Sequence, residues 1–172
     1  MKLHFQQVED AELESAHTVY LEVFEWLKVK GVRQWLRPIS REVFFERHCK
    51  GELFALYADD RLAAVVTLAF EVNSYWPEKV SEAPNWWIKS LGVARCFHNA
   101  GIGRRMMGEC EAHLLKTGAV EVFLDCVDGD FLPGYYTQLG HEELGRKDIT
   151  YPTGNTFPMV LMRKGLTSRS DE

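Results

Sequence analysis

Residues 91–105 read LGVARCFHNAGIGRR, and the glycine pair Gly101 and Gly103 followed by Arg104 and Arg105 suits one kind of chemistry, the holding of a phosphate or pyrophosphate. The pattern predicts an apolar strand end, a seven-residue loop from Ala94 to Ala100, and a helix opening at Ile102. The first turn of a helix carries backbone N–H groups with no partner inside the helix, and the macrodipole adds partial positive charge there. Glycine removes the Cβ atoms that would keep an anion from those N–H groups. The two arginines add full charges.

Spacing separates the phosphate-binding loops. A P-loop needs Lys and then Ser or Thr after its last glycine; Arg104 and Arg105 stand there instead. A dinucleotide fingerprint needs Gly or Ala three residues after its second glycine, where this chain has Met106. Asp125 does lie about 20 residues further on, as a ribose-binding acid would. The long loop argues against this reading, because dinucleotide glycines follow their strand directly.

The spacing resembles that of the GNAT family of acetyl-CoA-dependent N-acetyltransferases, which carries Q/R-x-x-G-x-G/A after a strand ending in an L-x-V-like pattern. The matching residues are Leu91-Gly92-Val93, then His98-Asn99-Ala100-Gly101-Ile102-Gly103. A second segment, FLPGYYTQLGH at 131–141, resembles the family's F/Y-Y-x-x-x-G-F, with Tyr135, Tyr136 and Gly140 in the matching places. A third, from Trp26 to Trp35, is similar to a W-L-x-x-x-G-x-x-Q-W pattern of some uncharacterised members. Three departures stand out: His98 in place of Gln or Arg, Asp128-Gly129-Asp130 where an Asn is frequent, and His141 in place of Phe.

The resemblance implies an α/β GNAT fold with a mixed, mostly antiparallel central sheet of six to seven strands, a V-shaped splay and about four flanking helices. It implies one domain over 1–164 with a polar tail at 165–172. The implied activity is transfer of an acetyl group from acetyl-CoA to the amine of a small molecule. Backbone groups at Leu91, Gly92 and Val93 would pair with the pantetheine arm of coenzyme A, as an added strand does. Those from His98 through Arg104 would hold the pyrophosphate, and Asp130 falls among the cofactor-binding positions, where an ionised Asp accepts but cannot donate and one contact to the arm is lost. Tyr136 matches the tyrosine that protonates the departing thiolate, and a phenol with an ordinary pKa near 10 stays protonated at neutral pH. Tyr135 is expected in the core. Of Glu71, Lys89 and Asp125, Glu71 is the choice for general base. Gln34 and Trp35, after the first helix, would border the acceptor. Alternatives are a non-catalytic acyl-CoA-binding regulatory module and an acetyltransferase for proteins or peptides. A homodimer fits the family, and an aromatic cluster could mark its interface.

The bulk numbers fit one domain of ordinary size. A chain of 172 residues, 46% hydrophobic and 26% charged, is long and apolar enough to bury a core. A net charge of −5 argues against broad nucleic-acid binding. The cysteines Cys49, Cys96, Cys110 and Cys126 form no C-x-x-C pair and have no His at ligand spacing, so no metal is expected. Cys110 and Cys126 read as core, while Cys96 lies in the loop. The start, MKLHFQQVEDAE, lacks the pattern of a signal peptide, and no apolar run is long enough to cross a bilayer. A cytoplasmic protein follows as the expectation.

Hydrophobic periodicity supplies the elements that must carry these residues. It predicts strands at 2–7, 52–58, 62–72, 86–93, 120–126, 142–146 and 157–163, with Asp59-Asp60-Arg61 turning a hairpin. Helices are predicted from Asp10, as N-cap, to about 30, over 41–49 capped by Ser40, from 102 to about 117, and over 132–139.

Overall fold

The computed structural model describes residues 1–32, 38–129 and 131–167. Among these the strands are β1 (Leu3–Gln7), β2 (Leu53–Ala58), β3 (Arg61–Glu71), β4 (Asn85–Val93), β5 (Glu121–Val127), β6 (Glu142–Thr150) and β7 (Thr156–Gly165). The helices are α1 (Leu13–Val29), α2 (Arg41–Cys49), α3 (Ile102–Lys116) and α4 (Leu132–Gln138). The strands hydrogen-bond in the order β1-β2-β3-β4-β5-β7-β6. The sheet is mixed: β4 and β5 are parallel, while β1/β2, β2/β3, β5/β7 and β6/β7 are antiparallel. In the β4–β5 ladder Trp87 stands opposite Phe123.

Two compact units divide the chain, 1–68 with 89–110 and 69–88 with 111–172, so that β3, β4 and α3 each contribute to both. In the first, α1 buries a stripe of Ala16, Val19, Tyr20, Val23 and Leu27. That stripe meets Leu53, Ala55, Tyr57, Val65, Phe44 and Ala94 in one cluster. A 3.6-residue period puts such residues on a single face. The predicted N-cap at Asp10 is corrected. Asp10–Glu12 form a 3₁₀ turn and α1 begins at Leu13, with no side-chain cap on either. Ser40 does cap α2, its Oγ accepting from the Val43 N–H at 3.2 Å. The β2–β3 hairpin turns on Asp59 and Asp60, with φ of 47° and 61°. Both central residues of a type I′ turn need positive φ, and Asp is one of the few side chains that tolerates it.

In the second unit, Trp76, Val80, Trp87, Phe123, Ile149, Met159 and Leu161 form a buried cluster flanked by Tyr75, Val127, Leu144, Tyr151 and Phe157. β6 and β7 run longer than predicted, reaching Thr150 and Gly165. The reason is ladder pairing. Thr150 pairs with Thr156 across the predicted 151–155 loop, and Glu121 pairs with Gly165. The Leu166 N–H then donates to the Val120 carbonyl at 2.7 Å.

Candidate active site

The loop after β4 lies in the first unit and is built by its own backbone. The Ala94 N–H donates to the Ala63 carbonyl at 2.9 Å, which fixes the strand exit. Arg95–Phe97 then form a 3₁₀ turn that the sequence pattern does not suggest. The chain next passes through Asn99 at φ 59° and Gly101 at φ 74°, two left-handed residues separated by Ala100. Left-handed steps of this kind turn successive N–H groups toward a common point, a concavity suited to an anion. The Arg105 N–H donates to the Gly101 carbonyl at 3.0 Å, which starts the ladder of α3. The N–H groups of Ile102, Gly103 and Arg104 belong to the turn whose donors have no intrahelical acceptor.

A Cβ built on Gly101 meets nothing within 4 Å, so the space beside the helix entrance is open. The positive φ at that position is what calls for glycine. Arg104 is exposed, and Arg105 is paired with Glu109 at 3.1 Å. His98 is exposed, and its Nδ1–H donates to the Arg95 carbonyl at 2.9 Å, which leaves Nε2 as the acceptor in the neutral ring. The Arg95 guanidinium lies 4.0 Å from the Trp26 ring centroid, a cation–π contact that holds the loop against α1.

Within β4, Ser90 has φ 52°. A left-handed serine in a strand costs about 1–2 kcal/mol and re-aims the residues that follow, Leu91 to Val93. No sequence signal marks it, because serine is not a residue that positive φ selects. Gly92 has a packing reason of its own: a Cβ there would stand 3.2 Å from the Tyr20 ring. Tyr20 of α1 therefore lies flush against this stretch of β4.

Tyr136 and Glu71 belong to the second unit. Tyr136 sits on α4, is buried at 8% exposure, and makes edge contacts with Tyr135 at 5.2 Å and His141 at 5.9 Å between centroids. Burial, above all, pushes its hydroxyl pKa well above the ordinary value, with Cys126, Tyr135 and Asp125 adding to it. The expectation for Tyr135 is reversed. It is half-buried and stacks on the exposed Phe131 at 5.8 Å, while Tyr136 takes the interior. A seven-residue helix has one inward face, and the α4 phase gives it to Pro133 and Tyr136. Glu71 is half-buried at the end of β3. Asp128 pairs with Arg146 at 2.7 Å. Gln34, Trp35 and Asp130 lie outside the described residues. Of the other tryptophans, Trp76 and Trp87 are core, at 1% and 0% exposure. Among the described residues no three His, Cys, Asp or Glu side chains are grouped as metal ligands, and no helix is long and apolar enough to cross a membrane.

A sequence model described as the Acetyltransferase (GNAT) family matches residues 17–140, most of the chain. The chain belongs to the GNAT acetyltransferase family. As such it is an N-acetyltransferase, in the acyltransferase class. No curated protein matches it. Solved GNAT structures share its fold. A GNAT family acetyltransferase from Listeria monocytogenes aligns with a TM-score of 0.78 at 17% identity, covering 95% of each chain. The PaiA N-acetyltransferase from Thermoplasma acidophilum, solved with coenzyme A, aligns with a TM-score of 0.65 at 16% identity, covering 96% of this chain and 99% of its own. A ribosomal-protein-alanine N-acetyltransferase from Brucella melitensis aligns with a TM-score of 0.70 at 14% identity, covering 95% of this chain and 99% of its own.

Proposed function

We propose that this GNAT protein acetylates the amine of a small molecule, using acetyl-CoA as donor. The observation that carries the proposal is the Asn99–Arg104 segment. It has two left-handed residues, open space at Gly101 and, at the α3 entrance, N–H groups without an intrahelical acceptor. These groups fit a pyrophosphate, with Arg104 as the adjacent cation and His98 bracing the loop through Arg95. Backbone groups of Leu91 and Val93 would hold the pantetheine arm, Gly92 keeping that strand close to Tyr20.

Acetyl-CoA, when bound, supplies the thioester carbonyl that the amine attacks. Glu71 is proposed to take the proton that the attacking ammonium must lose, and Tyr136 to give one to the departing thiolate. The buried phenol is held in its protonated form, the state a donor needs.

Calorimetric titration of acetyl-CoA into the protein, with NAD as control, followed by an amine panel, tests the reading. Saturable acetyl-CoA binding with turnover supports the transferase. Binding without turnover across the panel would overturn the small-molecule amine as acceptor. Protection of the fold by NAD alone would overturn acetyl-CoA as donor.

A further inference from the structure

The 3₁₀ turn Arg95–Phe97 stands between β4 and the left-handed residues of the α3 entrance, and all of it lies in the first unit. Three residues of 3₁₀ helix do little to hold themselves in place, because the run is short and its hydrogen-bond geometry poor. The Phe97 N–H donates to the Ala94 carbonyl at 2.9 Å, and the Ala100 N–H to the Phe97 carbonyl at 3.3 Å. The side chains of the turn add the rest. Phe97 packs against the α1 cluster, with the Arg61 guanidinium 5.1 Å from its ring centroid. Arg61 Nη2 also donates to Cys96 Sγ at 3.6 Å. Arg95 engages α1 directly, over the Trp26 ring at 4.0 Å.

Arg95 and Trp26 are both half-buried, and Trp26 packs against the same cluster as Phe97. A guanidinium on an aromatic face is attracted by the ring quadrupole, and Trp is the strongest partner. Trp26 stands in the last turn of α1, where the helix dipole favours a cation. The Arg95 carbonyl in turn accepts from His98 Nδ1 at 2.9 Å and from the His98 N–H at 3.3 Å. Asn99 follows at once in the left-handed region, with φ 59°. A left-handed residue other than glycine persists only where its surroundings over-determine it. The chain of contacts from Trp26 through Arg95 and His98 to Asn99 supplies that constraint.

We propose that Arg95 is a positioning residue for the anion-binding loop: stacked on Trp26, it holds the backbone from His98 to Arg104 in the shape that receives the pyrophosphate, and it is not itself a phosphate ligand. The brace serves the proposed acetyl-CoA site and rests on that reading. It divides the arginines of the loop by role. Arg104 is the cation beside the phosphates, while Arg95 acts through Trp26. Donors held in their bound arrangement lose little freedom on binding, which is how such a brace raises affinity.

The test is a double-mutant cycle on the full chain, read as the acetyl-CoA Kd by calorimetry beside the Tm by circular dichroism. Arg95→Met keeps the apolar stem and removes the charge, and Trp26→Leu removes the ring. Each is expected to raise the Kd about 3- to 30-fold, the scale of a cation–π contact. The double variant should bind as the weaker single variant does, because both act through one contact. Arg95→Lys should recover part of the affinity when Trp26 is present and none in the Trp26→Leu background. Losses that multiply independently would overturn the proposal and make Arg95 a direct phosphate contact. A lowered Tm with the wild-type Kd in both single variants would overturn it as well. Should Trp26→Leu fail to fold, Trp26→Phe, a ring with a weaker attraction, takes its place in the same cycle with the same readings. A wild-type chain that does not bind acetyl-CoA refutes the proposed function itself, a result distinct from wild-type binding that neither variant disturbs.

Discussion

His141 couples the stability of the fold to pH, because its ring is buried at 2% exposure. Among the described residues neither ring nitrogen has a hydrogen-bond partner. Burial pushes its pKa down to about 4, helped by the Lys164 ammonium and opposed by the Tyr136 backbone. Lys164 is itself held by Glu111 and the Leu139 carbonyl, each at 2.7 Å. An unfolded histidine titrates near 6.5. Between the two values the unfolded chain binds the proton and the folded chain does not, so acid favours unfolding. The contribution is fully present above pH about 6.5 and is lost as pH falls, by about 1.4 kcal/mol per unit and about 3 kcal/mol in all at pH about 4. For a domain of this size that loss corresponds to roughly 6–12 °C in Tm. His141→Phe removes the titrating group and the two orphan nitrogens together, the latter an unmet cost of about 1–3 kcal/mol. Urea unfolding followed by circular dichroism from neutral to acid pH reads both effects. The variant-minus-wild-type difference cancels every carboxylate common to the two chains and should grow by about 3 kcal/mol toward pH about 4. A difference that stays flat with pH would refute the assignment of a buried neutral imidazole, whatever its sign at neutrality.

Tyr136→Phe should lower kcat about 10²–10⁴-fold, the usual worth of general acid–base catalysis, with little change in the acetyl-CoA Kd; an unchanged kcat in steady-state assays removes the hydroxyl from the mechanism. Gly101→Val should lose acetyl-CoA binding by calorimetry and destabilise the fold by at least about 1–2 kcal/mol, because valine resists the left-handed region. Gly103→Val should lose binding by crowding the helix entrance, and retained affinity in either folded variant would sink the phosphate-loop assignment. A chromogenic disulfide reagent should titrate the exposed Cys49 and Cys96 in the native protein and spare the buried Cys110 and Cys126 until denaturant is added. Burial pushes the Cys126 thiol up to about 12, so a native-state reaction there would contradict its placement.

How much of the fold and the site is legible in the chain depends on the range of the interaction that decides each feature. The α1 stripe, the Ser40 cap, the Asp59-Asp60 turn and the glycine entrance of α3 are written in residues a few positions apart, and local sterics and hydrogen bonding settle them. The family, too, is readable, because its loop is a short run of backbone conformations that only certain side chains permit. The start of α1 differs from the sequence expectation because Asp10 has the chemistry of a cap, yet its carboxylate meets His48 from α2 at 2.6 Å instead. The choice between Tyr135 and Tyr136 for the interior differs for a similar reason. Adjacent tyrosines are identical to any local rule, and the rotation of α4 is set by what its inward face meets.

Sequence by itself therefore determined the order of elements, the glycine entrance of α3 and the GNAT family, all matters of spacing along one strand–loop–helix or of a periodic face. Tertiary structure alone decided the left-handed Ser90 in β4, the contact of Gly92 with Tyr20 and the orphaned ring of His141. Each of those depends on atoms far apart in the chain, and burial, which fixes their energies, exists only once the chain has closed around them.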